Sequence, residues 1–276
     1  MDAHVVWIIL AKEWRDALRT RWFALIAATF TILALALSYF GLASLGTFGV
    51  SGFGRTAASL LNLVLLIVPL MGLLIGALSV AAEREHGTLV MLLAQPVTAT
   101  EVFLGKFFGL ALALAAALLI GFSVSGLVIL RHHGWAQAGG YAALAGLTVV
   151  LGVAHIAIGL SLSASARRVA PVLGAALLAW LVVVVISDVG LMGTAMVLKL
   201  KPAQLLWLSL VNPLQAFKLA AMQALHGNLE LLGAGGVYAV SVCGAWLIWL
   251  LTGLLSLWTI APLALAWWLF RRRGAI

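Results

Sequence analysis

Two ionisable residues, His155 and Asp188, lie within apolar runs long enough to cross a bilayer. Such a group at mid-membrane costs at least about 2.5–3.5 kcal/mol on insertion scales, so each needs a partner or a task. A neutral imidazole beside a carboxylate would make a proton or metal station. The structural alternative is that Asp188 lies close enough to the end of its run to be wetted and that His155 hydrogen-bonds a neighbouring helix. No H-E-x-x-H or G-x-S-x-G pattern occurs, and the two residues are too isolated to supply a nucleophile and a base, which argues against an intramembrane enzyme.

A denser set of chemical groups runs from Glu83 to Lys106. Glu83, Arg84, Glu85 and His86 close one apolar run, Gly87 permits a turn at positive φ, and Thr88 can cap a short helix over 89–94. Pro96 stops that helix. Thr98 or Thr100 can then cap the next run, with Glu101 near its positive end. The product is a short helix parallel to the membrane, with Leu89, Leu92 and Leu93 on one side. It is either an ordinary amphipathic connector or a rigid lever able to pass the motion of a cytosolic motor into the bilayer.

The elements that must hold these groups follow from composition. Of 276 residues, 64% are hydrophobic and 9% charged, against roughly 45–50% and about 25% in soluble domains. A soluble globular enzyme is excluded. The net charge of +8 is spread thinly between apolar runs, with no basic face to follow a phosphate backbone, so the partner is the membrane and not nucleic acid. Cys243 has no second cysteine with which to form an intrachain disulfide. Met1 to Arg21 lacks a signal-peptide layout and is expected to be retained.

Runs of about 20 apolar residues fall near 22–42, 60–82, 103–130, 141–164, 171–197 and 244–270, which predicts an all-α protein with six transmembrane helices. With both termini cytoplasmic, Lys12, Arg15, Arg19, Arg21, Arg84, Lys106, Arg167, Arg168 and Arg271 to Arg273 lie inside. Arg55, Arg131, Lys199, Lys201 and Lys218 then lie outside, as the positive-inside rule favours. Residues 3–20 group Val6, Trp7, Ile9, Leu10, Trp14, Ala17 and Leu18 at helical spacing, the pattern of an interfacial helix. The half-apolar stretch 199–236, interrupted by Pro202 and Asn212-Pro213, is expected to form short re-entrant helices before the last span and to offer a periplasmic docking surface at Asn212 and Pro213. Gly72-x-x-x-Gly76 and Gly105-x-x-x-Gly109 stack glycines on one helical face, as a tight bundle or a dimer requires. No internal repeat and no linker divides the chain, so 1–276 reads as a single membrane domain. A G-x-x-x-x-G-K-[ST] loop is missing, so if ATP drives this protein another chain binds it.

The pattern Glu83-x-Glu85-x-Gly87-Thr88-Leu89, followed by Leu92-Leu93-x-x-Pro96 and Gly105-Lys106, resembles the signature of ABC-2-type permeases, the membrane subunits of one class of ABC transporter. The N-terminal interfacial helix, the six spans and Asn212-Pro213 before the last span fit the same family. The resemblance implies that the loop between the second and third spans contains the coupling helix that sits in a groove of the ATPase. This assigns ATPase coupling to Glu83, Arg84, Glu85, Gly87, Thr88 and Leu89. It also implies two copies of the chain with two cytosolic ATPase subunits, ATP and magnesium being held by the ATPase and no cofactor by this chain. Within the family the sequence is similar to permeases encoded with nitrous oxide reductase, whose complexes support assembly of that reductase's copper site and work with a periplasmic accessory protein. Localisation in a bacterial inner membrane follows from the same likeness.

Because that likeness implies copper, Met192 and Met196 are of interest: at i, i+4 they place two thioethers on one helical face, ligands that suit copper(I), although methionine in an apolar helix is ordinarily packing. His132-His133 are adjacent, with no third ligand nearby in sequence. The histidines and methionines form no ligand chain across the membrane. Export of a copper species, of a sulfur species, or mechanical work on a periplasmic partner all remain open, as does an ABC-2 exporter of an unrelated substrate such as a lipid or drug. An ion-coupled secondary transporter would show inverted repeats and several midplane charges, which are missing.

Overall fold

A computed structural model describes residues 2–43, 51–133, 138–198, 201–225, 238–239, 241–242 and 244–273. The described elements are helical throughout. They are α1 (Ala3–Arg19), α2 (Arg21–Ala43), α3 (Ser51–Glu85), α4 (Thr88–Leu93), α5 (Ala99–His133) and α6 (Ala138–Ser165). After these come α7 (Val169–Leu181), a π-helical turn (Val182–Ile186), α8 (Ser187–Leu198), α9 (Pro202–Leu210), α10 (Pro213–Ala224) and α11 (Leu247–Arg273). Six helical stretches are long and apolar enough to cross a membrane: Arg21–Phe40, Thr56–Glu85, Ala99–Ile129, Ala138–Ser165, Val169–Leu191 and Leu247–Arg272. They coincide with the six expected runs. The fifth is continuous through the π turn, which explains its length.

The bundle is built around α6, which packs on α3, α5, α10 and α11. Its spanning window is 67% buried, against 22% for α2 and 11% for the α7–α8 span. Glycines decide how closely α6 meets α3. A Cβ built on Gly72 would lie 2.6 Å from the Gly152 carbonyl oxygen, and one on Gly159 would lie 2.5 Å from the Leu73 oxygen. Gly76 meets the Ile156 carbonyl as tightly. The Gly72/Gly76 pair therefore serves a contact within the chain, where backbone-to-backbone approach replaces the side-chain layer.

Residues Ala3–Arg19 form the amphipathic helix α1. It is capped by Asp2, whose side chain accepts from the His4 amide, and it buries Ile9, Glu13 and Ala17. Between the fifth and last spans, α9 and α10 are joined at a bend of 112°, the geometry of a broken span or a re-entrant loop. Each begins with proline at its first position, where the missing N–H costs no hydrogen bond. Residues 199–200 and 226–236, the two ends of the stretch expected to be re-entrant, lie outside the described residues.

Candidate functional site

The region from Glu83 to Lys106 is the most heavily bonded part of the molecule. Lys106, in the second turn of α5, is completely buried, and its ammonium lies 2.7 Å from Glu83 Oε1 at the end of α3 and 2.8 Å from Glu13 Oε1 on α1. Lys12 reaches the same two carboxylate oxygens at 3.1 Å each, and Asp16 stands 3.7 Å from Lys12 one turn along. One cluster thus pins together α1 and the second and third spans. Glu13 is 8% exposed, a depth at which an unpaired carboxylate would be very costly.

Close approach of α1 to α5 makes the cluster possible. A Cβ on Gly105 would lie 2.7 Å from Ile9 Cβ, and one on Gly109 would lie 2.7 Å from Glu13 Cβ. Gly105-x-x-x-Gly109 therefore seats α1 on the third span, with Lys106 between the two glycines. Sequence spacing showed that a close contact was wanted, and the fold shows with what.

The charges respond to this environment. Burial alone would raise the Glu13 carboxyl, but Lys106 and then Lys12 outweigh it and hold the group below its ordinary value. For Lys12 burial works downward, yet Glu13 and Glu83 prevail and raise it above its ordinary value.

Further bonds fix the remaining loop residues. Arg84 donates to the carbonyls of Ala164, at 3.3 Å, and Ala166, at 2.6 Å. Glu85 Oε2 accepts from the Val169 amide that opens α7, at 2.6 Å. Ser163 on α6 donates to the Ala77 carbonyl and accepts from the Val80 and Ala81 amides. At the far end of the loop, Thr98 and Glu101 form a reciprocal cap. The Thr98 amide donates to Glu101 Oε2 at 2.8 Å and the Glu101 amide donates to Thr98 Oγ1 at 3.3 Å. Glu101 Oε1 also accepts from the Asp2 amide at 2.6 Å, tying the start of α1 to the start of α5. Thr98, and not Thr100, is the cap; Thr100 Oγ1 accepts from the Trp267 indole of α11.

One expectation for the loop is corrected. Thr88 does not cap α4: Gly87, at φ 72°, occupies the cap position without a side-chain bond, and the Thr88 hydroxyl donates back to the Glu83 carbonyl at 3.2 Å. The chain reverses so sharply after α3 that the hydroxyl meets the last turn before it can reach forward. Leu89 is 1% exposed and anchors α4 in the chain's own core, with Leu92 and Leu93 on the same side, the grouping that their spacing implied. The outward face of α4 is Val90 and Met91, at 66% and 73% exposure. Because residues 89–93 are all apolar, hydropathy along the chain did not say which face of this short helix would be free.

A second bonded region joins α10 to the fifth span. Asn212 Oδ1 accepts from the Leu214 amide and caps α10, while Nδ2 donates to the Val183 carbonyl at 2.8 Å and to Ser187 Oγ at 2.7 Å. Pro213 behind it is buried. The π turn at Val182–Ile186 alters the hydrogen-bond register there, and Asn212 supplies a donor to it. Asp188, exposed, accepts from Gln215. His155 is fully buried on α6, with Nδ1 bonded to the Leu151 carbonyl at 2.8 Å and Nε2 without a partner. The fold thus gives His155 and Asp188 different partners and makes no pair of them. Asp188 is exposed and bonds Gln215, whereas His155 bonds its own helix and not a neighbouring one. No group of three His, Cys, Asp or Glu side chains able to hold a metal ion occurs among the described residues. The side chains of Met192, Met196, His132 and His133, and the whole of Cys243, lie outside them.

The sequence pattern that defines the ABC-2 family transporter proteins matches residues 7–275. This chain belongs to the ABC-2 transporter family. The permease is also 35% identical over 281 residues to a protein of Pseudomonas aeruginosa named as a probable ABC transporter permease, NosY, with 98% of each chain covered. It is 32% identical over 274 residues to the protein of the same name from Stutzerimonas stutzeri, covering 97% of this chain and 98% of that one. A permease of this family is the multi-pass membrane component of a transporter whose ATP hydrolysis resides in a separate subunit. The permease's bonded loop is tied to α1, α5, α6 and α7 through Glu83, Arg84 and Glu85.

Proposed function

We propose that the permease couples ATP hydrolysis by a cytosolic ABC ATPase to assembly of the copper site of nitrous oxide reductase in the periplasm. It does so by exporting a copper or sulfur species or by working a periplasmic accessory protein mechanically. In this reading the chain sits in a bacterial inner membrane with both termini and α4 on the cytoplasmic side, and two copies assemble with two ATPase subunits. The concentration of Lys and Arg at the α1, α4 and Arg271–Arg273 end supports the orientation. The exposed Val182, Val185, Ile186 and Val189 of the fifth span support a second copy beside the first.

The observation that carries the proposal is the Lys106 cluster. It fixes α1, α3 and α5 to one another at the end of α3 that leads into α4, whose outward face is the apolar pair Val90–Met91. Glu83, Arg84, Glu85, Gly87, Thr88 and Leu89 act in coupling by shaping and bracing that helix. Val90 and Met91 make the contact. Asn212 and Pro213 fix α10 to the fifth span and so join it to a surface for the periplasmic subunit. The test is Val90→Asp with Met91→Asp, both exposed. ATPase copurification and reductase copper loading should fall at least about tenfold, the scale of burying unpaired charge in an interface, while thermal stability of the permease holds. Full association and loading in the double variant would refute the assignment.

A further inference from the structure

A cavity of about 600 Å³ opens beside the Lys106 cluster, bounded by α1, α2, α3, α5 and α7. Its polar end is formed by Lys12, Glu13, Asp16 and Glu83; its body is apolar, with Phe23, Ile26, Met71, Leu74, Ile75 and Leu78 among the lining. Along α3 the lining runs from Glu83 to Met71, a rise of about 18 Å at 1.5 Å per residue. One leaflet's hydrocarbon is about 15 Å deep, so the cavity is as long as a single acyl chain and is charged only where a lipid headgroup would lie. Trp22 and Leu177, two of its lining residues from different helices, are 73% and 49% exposed, so its rim faces sideways into the surroundings of the bundle.

The polar end also says which headgroup fits. Three carboxylates, Glu13, Asp16 and Glu83, stand against two ammonium groups, Lys12 and Lys106. Lys106 is wholly buried on Glu13 and Glu83 and so is closed to a ligand. Glu83 Oε2 is a buried acceptor without a donor, a group that native structures ordinarily satisfy. Asp16 is 58% exposed and only 3.7 Å from Lys12, which is itself 46% exposed. We propose that this cavity binds a phospholipid with a primary-ammonium headgroup. Its acyl chain lies along α3 between Phe23 and Leu78, its ammonium faces Asp16 and Glu83, and its phosphate faces Lys12. An anionic headgroup would meet the carboxylate excess and be disfavoured. The site is separate from the outward face of α4 and does not depend on what the transporter carries.

The test uses the full-length permease in complex with its ATPase, in nanodiscs of equal parts phosphatidylethanolamine and phosphatidylglycerol. Each lipid is supplied in turn with a photoreactive acyl chain, and the adducts are mapped by mass spectrometry. Phosphatidylethanolamine adducts should concentrate at residues 71–78 and 22–26 and exceed phosphatidylglycerol adducts there about fivefold, the scale of one charge-assisted hydrogen bond. Leu78→Trp should remove the adducts by filling the cavity. Asp16→Lys, a change at an exposed position, should reverse the headgroup preference and so keeps the test decisive if the filled variant folds poorly. Equal labelling by both lipids, a preference unmoved by Asp16→Lys, or crosslinks at these positions to a second permease copy in place of lipid would each overturn the proposal.

Discussion

The two ends of the bundle are held by different physics. At the end bearing α1 and α4, buried charges on three helices meet at Lys106, and each carboxylate and ammonium in the cluster relies on its partners. At the end bearing α9 and α10, the side-chain bonds that join α10 to the fifth span come from Asn212 and Gln215, neutral amides, and only Asp188 among the acceptors is charged, at an exposed position. Buried ion pairs add little net stability over an apolar replacement, but losing one partner is severe because the other charge is stranded. Neutral hydrogen bonds fail more gently. The first end is therefore suited to moving as one piece under an external push. The second is able to exchange partners at modest cost, aided by the π turn to which Asn212 bonds.

The sharpest way to break this contrast is Lys106→Met. It strands Glu13 and Glu83 with only the half-exposed Lys12 beside them, and the expected cost is about 3 kcal/mol, the lower part of the range for a broken buried pair. A large drop in the thermal midpoint in detergent should follow, with partial recovery when Glu13→Gln is added, since a neutral amide needs no counter-charge. A single variant as stable as wild type would mean that the cluster is idle.

Acid should separate the ends next. Because Glu13 titrates below its ordinary 4.5 in the fold, its contribution is fully present above about that pH and is lost as pH falls through the lower folded value. Lys12 is raised above 10.5, so its contribution is present below that pH and fades only as pH climbs through the folded value. Hydrogen exchange should therefore show α1 loosening from α5 in acid before α10 loosens from the fifth span. Simultaneous loosening would contradict the contrast.

Asn212→Ala tests the other end. It removes the α10 cap and two donor bonds together, for about 1–2 kcal/mol, and faster amide exchange should be confined to α10 and the region around Val183. The smallest effect is expected from Thr98→Ala, about 1 kcal/mol from half of a reciprocal cap, because Glu101 keeps its bond from the Asp2 amide. Loss of α4's position in this variant would show that the loop depends on its cap more than on the Lys106 cluster.

These energetics also bear on how the loop should be probed. Reversing Glu83 to Lys would bring a third ammonium to Lys106 and Lys12 and would damage the fold, so lost ATPase binding in that variant would not report docking. Val90 and Met91 are clean probes because they touch little of their own chain.

Much of this architecture was legible in the residues. Runs of apolar residues must become helices in a bilayer because no other single segment satisfies its own backbone there, and the six expected spans coincide with the six observed. The α1 pattern, the stop at Pro96, the Thr98–Glu101 cap and the prolines that open α9 and α10 are local consequences of side-chain chemistry within a few residues, and they too could be read along the chain. Along the chain Lys106 is a cytoplasmic-side charge and the close of the Gly105-Lys106 pair, and nothing there joins it to Glu13. Glu13 and Lys106 are 93 positions apart, and nothing in either neighbourhood says that Gly105 and Gly109 will seat α1 rather than another helix. Which side of α4 faces outward, which partner takes Asp188, and where a cavity remains between α2 and α7 were likewise settled only in three dimensions. Local rules choose the helix, its ends and its apolar stripe; the pairing of helices depends on steric fit and on which buried charges can reach one another, and those are properties of the packed bundle alone.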